Sequence, residues 1–390
     1  MTVTARATEH HASLPSTVLG LGAAAIEGWS GYLTGLCRRR ADVLDVATDF
    51  AEFWRVVTSR ERPSWAHPNT VRRQRPLADL RDYALRGERA QVATLVLPPQ
   101  SGRASSIVDY AAGRSLMLTL RGSGLTNLYC LDWKPPGPST VDASIEDYIA
   151  LLSETVDSLG GRVNLVGYSQ GGWLATIYTA LYPDSVHTLV VAGAPIDFHA
   201  GRPQLLDWIS PMFRRTEMAS FRTIMAAVAA LQRGISQAVG VPLGKPAGEF
   251  ERAMGLLAHL DDPRFVERYL DLKRWFEWTE DMPAAFSDWI IQQLFVSNRL
   301  ISGGLEVGGR AVMLDAITCP LVLIAGTADH ITPPEQVWAL ERYVSTPQAQ
   351  VSRRSVEAGH LGLLIGHAAL EEHWLPLMRS VAERSALEPE

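Results

Sequence analysis

The chain has 390 residues, 47% of them apolar and 20% charged, with a formal net charge of −6. This balance excludes a disordered chain and leaves no basic footprint for nucleic acid. Three widely spaced cysteines, Cys37, Cys130 and Cys319, are too few for a disulfide framework and suit a reducing cytoplasm. Each reads as a small core hydrophobe.

In chain order, residues 1–12 read as frayed. The apolar run 18–26 is interrupted by Glu27 and lacks the basic flank of a signal peptide, and no segment offers the roughly 18 apolar residues of a membrane span. Residues 15–60 carry helical spacing, with Trp29, Tyr32, Leu33, Leu36, Val43, Leu44, Phe50, Phe53 and Trp54 as expected buried positions. Residues 1–75 are therefore expected to form an N-terminal helical extension. A strand is expected over 91–97, a helix over 115–120 and a strand over 128–131, because parallel strands need a crossover between them. Ser144 caps an amphipathic helix that ends at Gly160-Gly161. A strand at 163–166, a helix at 171–182 and a strand at 188–191 continue the alternation. Such alternation predicts a mostly parallel, doubly wound sheet, with residues 76–200 as its first part. Between 201 and 311 the alternation stops. This stretch is rich in aromatic and apolar side chains, among them Trp208, Met212, Phe213, Trp275, Phe276, Trp278, Trp289 and Phe295. It reads as a helical lid inserted in the sheet. Strands at 321–324 and 351–356 place the second part of the core at 312–390.

The sharpest local signal is Gly167-Tyr168-Ser169-Gln170-Gly171-Gly172, set between a strand and a helix. G-x-S-x-G in that setting is a nucleophile elbow. The chain reverses so tightly that Ser169 must take a strained backbone, and side chains at Gly167 and Gly171 would clash. The turn lifts the serine hydroxyl above the sheet and makes the Gln170 N–H an oxyanion donor. A second donor is expected from the loop after strand 91–97, at the Gln100 or Ser101 N–H. Asp329 ends the strand 321–324 region, where α/β folds collect functional groups. His360 follows the last strand, and the order Ser, Asp, His belongs to the α/β-hydrolase fold. His330 and His367 are rivals for the base. The expected triad is Ser169 as nucleophile, His360 as base and Asp329 as its orienting acid. No zinc-site spacing and no P-loop occur, so no metal or cofactor is expected.

Several blocks resemble the polyhydroxyalkanoate synthases and the intracellular polyhydroxybutyrate depolymerases, over roughly residues 90–380. They are Asp132-Trp133, Glu146-Asp147-Tyr148-Ile149, Val163-Asn164-Leu165-Val166-Gly167 and Pro195-Ile196-Asp197-Phe198. Asp281-Met282-Pro283, Asn298 with Leu300, and Gly304-Leu305-Glu306-Val307-Gly308-Gly309 look like the synthases. So do Asp329-His330-Ile331 with Pro333, and Gly359-His360, whereas Pro99-Gln100-Ser101-Gly102 looks more like the depolymerases. The resemblance implies a hydroxyacyl ester, oligomer or acyl-coenzyme A substrate, contact with a polymer granule surface, and triad roles for Asp329 and His360. The departure is Ser169, where members of these families generally carry cysteine.

A thiol takes an acyl group from a thioester and passes it on as a thioester. An acyl-serine is an oxyester of lower energy that water commonly resolves. The leading expectation is a cytoplasmic serine hydrolase of hydroxyacyl esters or thioesters, resembling a depolymerase. The alternatives are a synthase-like acyltransferase that uses Ser169 on hydroxyacyl-coenzyme A, and a non-catalytic granule-associated protein that kept the fold.

Overall fold

The computed structural model describes residues 14–84, 91–100, 104–201, 246–278 and 280–386. Contacts divide the chain into two compact units, residues 1–61 with 218–277 and residues 62–217 with 278–390.

The larger unit is built on an eight-stranded sheet. Its strands are β1 (Thr70–Gln74), β2 (Ala78–Asp82), β3 (Ala93–Leu97), β4 (Leu128–Trp133), β5 (Val163–Tyr168), β6 (Val186–Ala192), β7 (Leu321–Gly326) and β8 (Val351–Val356). Across the sheet the order is β1-β2-β4-β3-β5-β6-β7-β8. The β1–β2 and β2–β4 pairs are antiparallel. All other neighbours are parallel. Every residue of β3, β4, β5 and β7 is buried, as parallel strands covered on both faces require. With helices Leu116–Gly122, Ile145–Ser158 and Gln170–Leu181 between the strands, this is the α/β-hydrolase fold. The chain leaves β3 for β4 on one side and returns to β5 on the other. The crevice outside the carboxyl ends of β3 and β5 is thus the topological switch point, where such sheets bind ligands.

Local sequence explains the element starts. The Ser115 hydroxyl accepts from the Leu118 N–H at 3.0 Å and caps helix Leu116–Gly122. Asp147 Oδ2 accepts from the Ser144 N–H at 2.8 Å at the head of helix Ile145–Ser158. β1 and β2 form a polar antiparallel edge that hydropathy patterning does not signal; only Ala78 and Leu80 of this pair turn into the core. At the opposite edge β8 exposes Arg353 and Arg354, charges that discourage pairing with another chain.

The stretch just before β7 packs on the sheet's own helices. Phe286 stacks on Tyr148 with ring centroids 4.1 Å apart, and Phe295 meets Phe198 edge-on at 4.8 Å. Trp289 lies 6.4 Å from Trp173. Trp208, Met212, Phe213 and the side chain of Phe276 fall outside the described residues.

The smaller unit holds helices Leu14–Arg39, Val43–Thr58, Pro246–Ala258 and Pro263–Glu277. Asp42 begins the second of these with a reciprocal cap: its Oδ1 accepts from the Leu44 and Asp45 N–H groups, and Asp45 Oδ2 accepts from the Asp42 N–H at 2.9 Å. The buried face of Leu14–Arg39 differs from the hydrophobic expectation. Trp29, Leu33, Val43, Leu44 and Trp54 are exposed, Leu36, Phe50 and Phe53 are half-buried, and of the nine expected positions Tyr32 alone is buried. The reason is that the helix contact runs over small residues. A Cβ on Gly28 would stand 2.8 Å from Met254 Cβ, and one on Gly31 2.7 Å from Ala258 Cβ. Helix Pro246–Ala258 thus lies against the backbone of Leu14–Arg39, and the bulky side chains flank the seam. Cys37 in this unit is exposed, contrary to its expected core position, whereas Cys130 and Cys319 are buried. No described helix is long and apolar enough to cross a membrane.

Helix Leu14–Arg39 gives two opposite expectations for glycine substitution, one in the seam and one away from it. Gly31→Leu forces the helices apart and should lower stability by about 1–3 kcal/mol. Gly22 has nothing within 4 Å of a built Cβ, so Gly22→Ala should raise stability by about 0.5–1 kcal/mol. Denaturant unfolding of both variants against the parent checks the pair.

Candidate active site

The elbow is built by close approach. Ser169 has φ 53° and ψ −121°, a backbone that L residues rarely adopt. Strain of this kind costs on the order of 1–3 kcal/mol and persists only where the surroundings enforce it. Here two hydrogen bonds do so. The Ser169 N–H donates to the Ala192 carbonyl at 2.9 Å, and the Gly172 N–H donates to the Ser169 carbonyl at 2.9 Å. The glycines are set by space. A Cβ on Gly171 would overlap the Leu97 carbonyl oxygen, and one on Gly167 would stand 2.5 Å from the Gly172 Cα. Gly172, which the motif does not demand, is equally constrained: a Cβ there would overlap the Ala194 methyl.

The other two expected residues meet Ser169 from distant loops. His360 Nε2 lies 3.1 Å from Ser169 Oγ, and His360 Nδ1 lies 2.7 Å from Asp329 Oδ2. Asp329 is 3% exposed. Its second oxygen, Oδ1, accepts from the Ile331 N–H at 2.9 Å and the Thr332 N–H at 2.8 Å. Both carboxylate oxygens are therefore held, and Oδ2 is committed to the imidazole. The two loops are also tied to each other. The Thr327 N–H donates to the Val356 carbonyl at 2.8 Å, and the Ala328 N–H to the Ala358 carbonyl at 3.2 Å. His330 and His367 are exposed, and neither takes the place of His360.

Tyr168 is a contributor that sequence reasoning passes over, because it occupies the variable position of G-x-S. Its hydroxyl donates to the His360 carbonyl, and its ring lies 5.3 Å from the imidazole. Burial pushes that hydroxyl well above the usual tyrosine range, and the Asp329 carboxylate adds to the effect. Tyr168 thus stays protonated and holds the histidine backbone as a donor.

Gln170, whose N–H is the expected oxyanion donor, is the first residue of helix Gln170–Leu181. The segment after β3 passes over that first turn: the Pro98 carbonyl stands 2.9 Å from a built Gly171 Cβ and accepts from Trp133 Nε1 at 2.9 Å. Gln100 comes two residues later and is 3% exposed. Ser101 lies outside the described residues.

Residues 95–374 match the family described as "Protein of unknown function (DUF3141)". The chain belongs to this family. It is also similar to the PhaC subunit of the poly(3-hydroxyalkanoate) polymerase of Allochromatium vinosum, at 26% identity over 272 residues, 68% of this chain and 74% of that protein. The subunit of the same name from Thiocystis violacea is 23% identical over 285 residues, 72% of this chain and 78% of that protein. Among solved structures, a monoacylglycerol lipase of Paleococcus ferrophilus aligns with 76% of this chain and 98% of its own, at 17% identity and a TM-score of 0.45.

Two pairs of the blocks that carry the synthase resemblance meet in space. Asn298, in the left-handed region at φ 46°, accepts from the Phe198 N–H at 3.0 Å and donates to Asp197 Oδ1 at 2.8 Å. The Gly308 N–H donates to Glu146 at 3.2 Å. Asp132 pairs with Arg81 at 2.7 Å, and Arg62 pairs with Glu280 at 2.9 Å, next to Asp281. Segments about a hundred residues apart are thereby pinned to one another.

The fixed position of Asp329 gives a test of the site. Asp329→Asn can keep both backbone hydrogen bonds at Oδ1 while presenting an N–H to His360 Nδ1, which forces the wrong tautomer. The expected result is a folded protein whose reaction with a fluorophosphonate, and whose turnover of an activated ester, falls by about 10⁴. Retained reactivity would show that Asp329 does not orient His360.

Proposed function

We propose that the chain is a serine hydrolase that cleaves hydroxyacyl esters or thioesters through an acyl-Ser169 intermediate. The observation that carries this reading is the pair of contacts at His360, 3.1 Å to Ser169 Oγ and 2.7 Å to Asp329 Oδ2. In the proposed reaction His360 Nε2 takes the hydroxyl proton as Ser169 Oγ attacks the carbonyl carbon. Asp329 holds the proton on Nδ1 and stabilises the imidazolium. The oxyanion is held by the Gln170 N–H together with the Gln100 or Ser101 N–H. His360 then gives its proton to the leaving oxygen or sulfur. Water, activated by the same histidine, resolves the acyl-enzyme. Similarity to polymerase subunits supports hydroxyacyl chemistry as the substrate class, and a cytoplasmic place at a polymer granule surface belongs to the same reading.

A second reading is acyl transfer, favoured by the names of those same relatives. Here an alcohol instead of water resolves the acyl-serine. Product analysis separates the two. With 3-hydroxybutyryl-coenzyme A and with 3-hydroxybutyrate oligomers side by side, the hydrolase yields free hydroxy acid from both, whereas a transferase yields longer esters from the first. A non-catalytic granule protein would leave both unchanged and resist fluorophosphonate labelling.

Ser169→Ala and His360→Ala are each expected to lower turnover by about 10⁴–10⁶ with the fold retained, because triad members act as a unit. His330→Ala should stay within a few-fold of the parent. If His330→Ala were the damaging change, the base would be misassigned.

A further inference from the structure

Gln100 presents a problem that the proposed chemistry does not absorb. Only its backbone N–H has a role there, yet its side chain is buried with the residue at 3% exposure. Neither Oε1 nor Nε2 has a hydrogen-bond partner among the described residues. A buried amide left unpaired costs free energy for each group withheld from water, and native structures keep such groups for a reason.

Its position supplies the reason. β3 and β5 are parallel neighbours, and Leu97 pairs with Gly167, two residues before Ser169. Residues 98–100 follow β3 directly, and the Pro98 carbonyl stands 2.9 Å from a built Gly171 Cβ. The Pro98 carbonyl is pinned over the first helical turn by Trp133 Nε1 at 2.9 Å. The unpaired carboxamide is thus carried on the segment that borders the oxyanion side of Ser169. It offers one acceptor and a pair of donors a fixed short distance apart. A plain acyl chain has nothing to match them. A 3-hydroxyacyl ester does: its hydroxyl donates to Oε1, and Nε2 donates to the hydroxyl oxygen or the neighbouring carbonyl.

We infer that the Gln100 carboxamide recognises the hydroxyl group of a hydroxyacyl substrate, an assignment that rests on the serine-hydrolase reading of Ser169. The discrimination works by absence. An acyl chain without the hydroxyl fills the site but leaves the amide unpaired, and sites of this type reject the analogue strongly.

The test is a ratio of kcat/KM values, p-nitrophenyl 3-hydroxybutyrate over p-nitrophenyl butyrate, in the parent, Gln100→Met and Gln100→Asn. The parent should favour the hydroxylated ester by about 100-fold or more. Met keeps the length and removes both polar atoms, so the ratio should fall at least about tenfold. The melting temperature of the Met variant should hold or rise, because an unpaired buried amide has gone. Asn keeps the amide and withdraws it by one methylene. Its ratio should fall as well, which covers the case of a Met variant that does not fold. A parent that hydrolyses both esters equally well overturns this inference alone. So does an unchanged ratio in either active variant, which would make the amide a site for water only. A lower melting temperature with an unchanged ratio would assign Gln100 a purely structural role. A parent that hydrolyses neither ester and is not labelled by a fluorophosphonate overturns the hydrolase reading, and this inference with it.

Discussion

The crossing of helix Gln170–Leu181 over the carboxyl ends of β3 and β5 is the constraint on which the rest of the site depends. The approach is so close that a methyl at residue 171 would overlap the Leu97 carbonyl. Backbone lies on backbone there, and three glycines, Gly167, Gly171 and Gly172, are the result. The strained Ser169 conformation has the same origin, since the chain has no room to turn from strand to helix in any wider arc. The same approach brings the segment after β3 over the helix's first turn. In one step the fold exposes a hydroxyl, aims a helix N-terminus at the space in front of it, and sets a second loop beside that space.

The remaining two residues are placed by a different device. Ser169 is held by sterics, whereas Asp329 and His360 are held by hydrogen bonds between loops. Asp329 receives two backbone N–H groups at one oxygen and the imidazole at the other, and these contacts fix the direction of Oδ2. The β7 and β8 loops share two backbone hydrogen bonds, so the segments that carry Asp329 and His360 are tied to each other. Tyr168 closes the circuit from the elbow side through the His360 carbonyl. Each of the three residues therefore has a support that is itself attached to the support of another.

The parts of this arrangement that were legible in the sequence are those where chemistry restricts residue type. Apolar runs bounded by turn formers marked β3, β4, β5, β6 and β7, because strands buried on both faces admit little else. The elbow glycines and the order Ser, Asp, His were legible for the same reason. β1 and β2 were not, since Thr70–Gln74 is an exposed edge and tolerates Arg72, Arg73 and Gln74. The helical seam misled in the opposite direction. Large side chains such as Trp29 and Leu33 suggested burial, yet the contact is made where Gly28 and Gly31 allow backbone to approach. A pattern reading weighs what side chains seek. It has no term for a surface chosen because side chains are missing.

Nucleophile type and the polarity beside it both bear on the fate of the acyl-serine in the proposed reaction. His360 can deprotonate water or an alcohol alike, since both approach the acyl carbon from the side on which the leaving group departs. The choice of nucleophile alone does not decide the outcome. An oxyester on Ser169 stores less free energy than a thioester would, so transfer to an alcohol is close to an exchange of like for like, while hydrolysis runs downhill in water. Transfer therefore requires that water be kept out or that the acceptor be held. Holding an acceptor means hydrogen-bonding its hydroxyl. If the Gln100 carboxamide, unpaired among the described residues, engages the hydroxyl of the acyl chain as inferred, fewer of its hydrogen-bonding positions are left to hold an alcohol, whereas water needs no such holding. The inferred role of Gln100 and the lower energy of an acyl-serine then favour hydrolysis by separate physical routes.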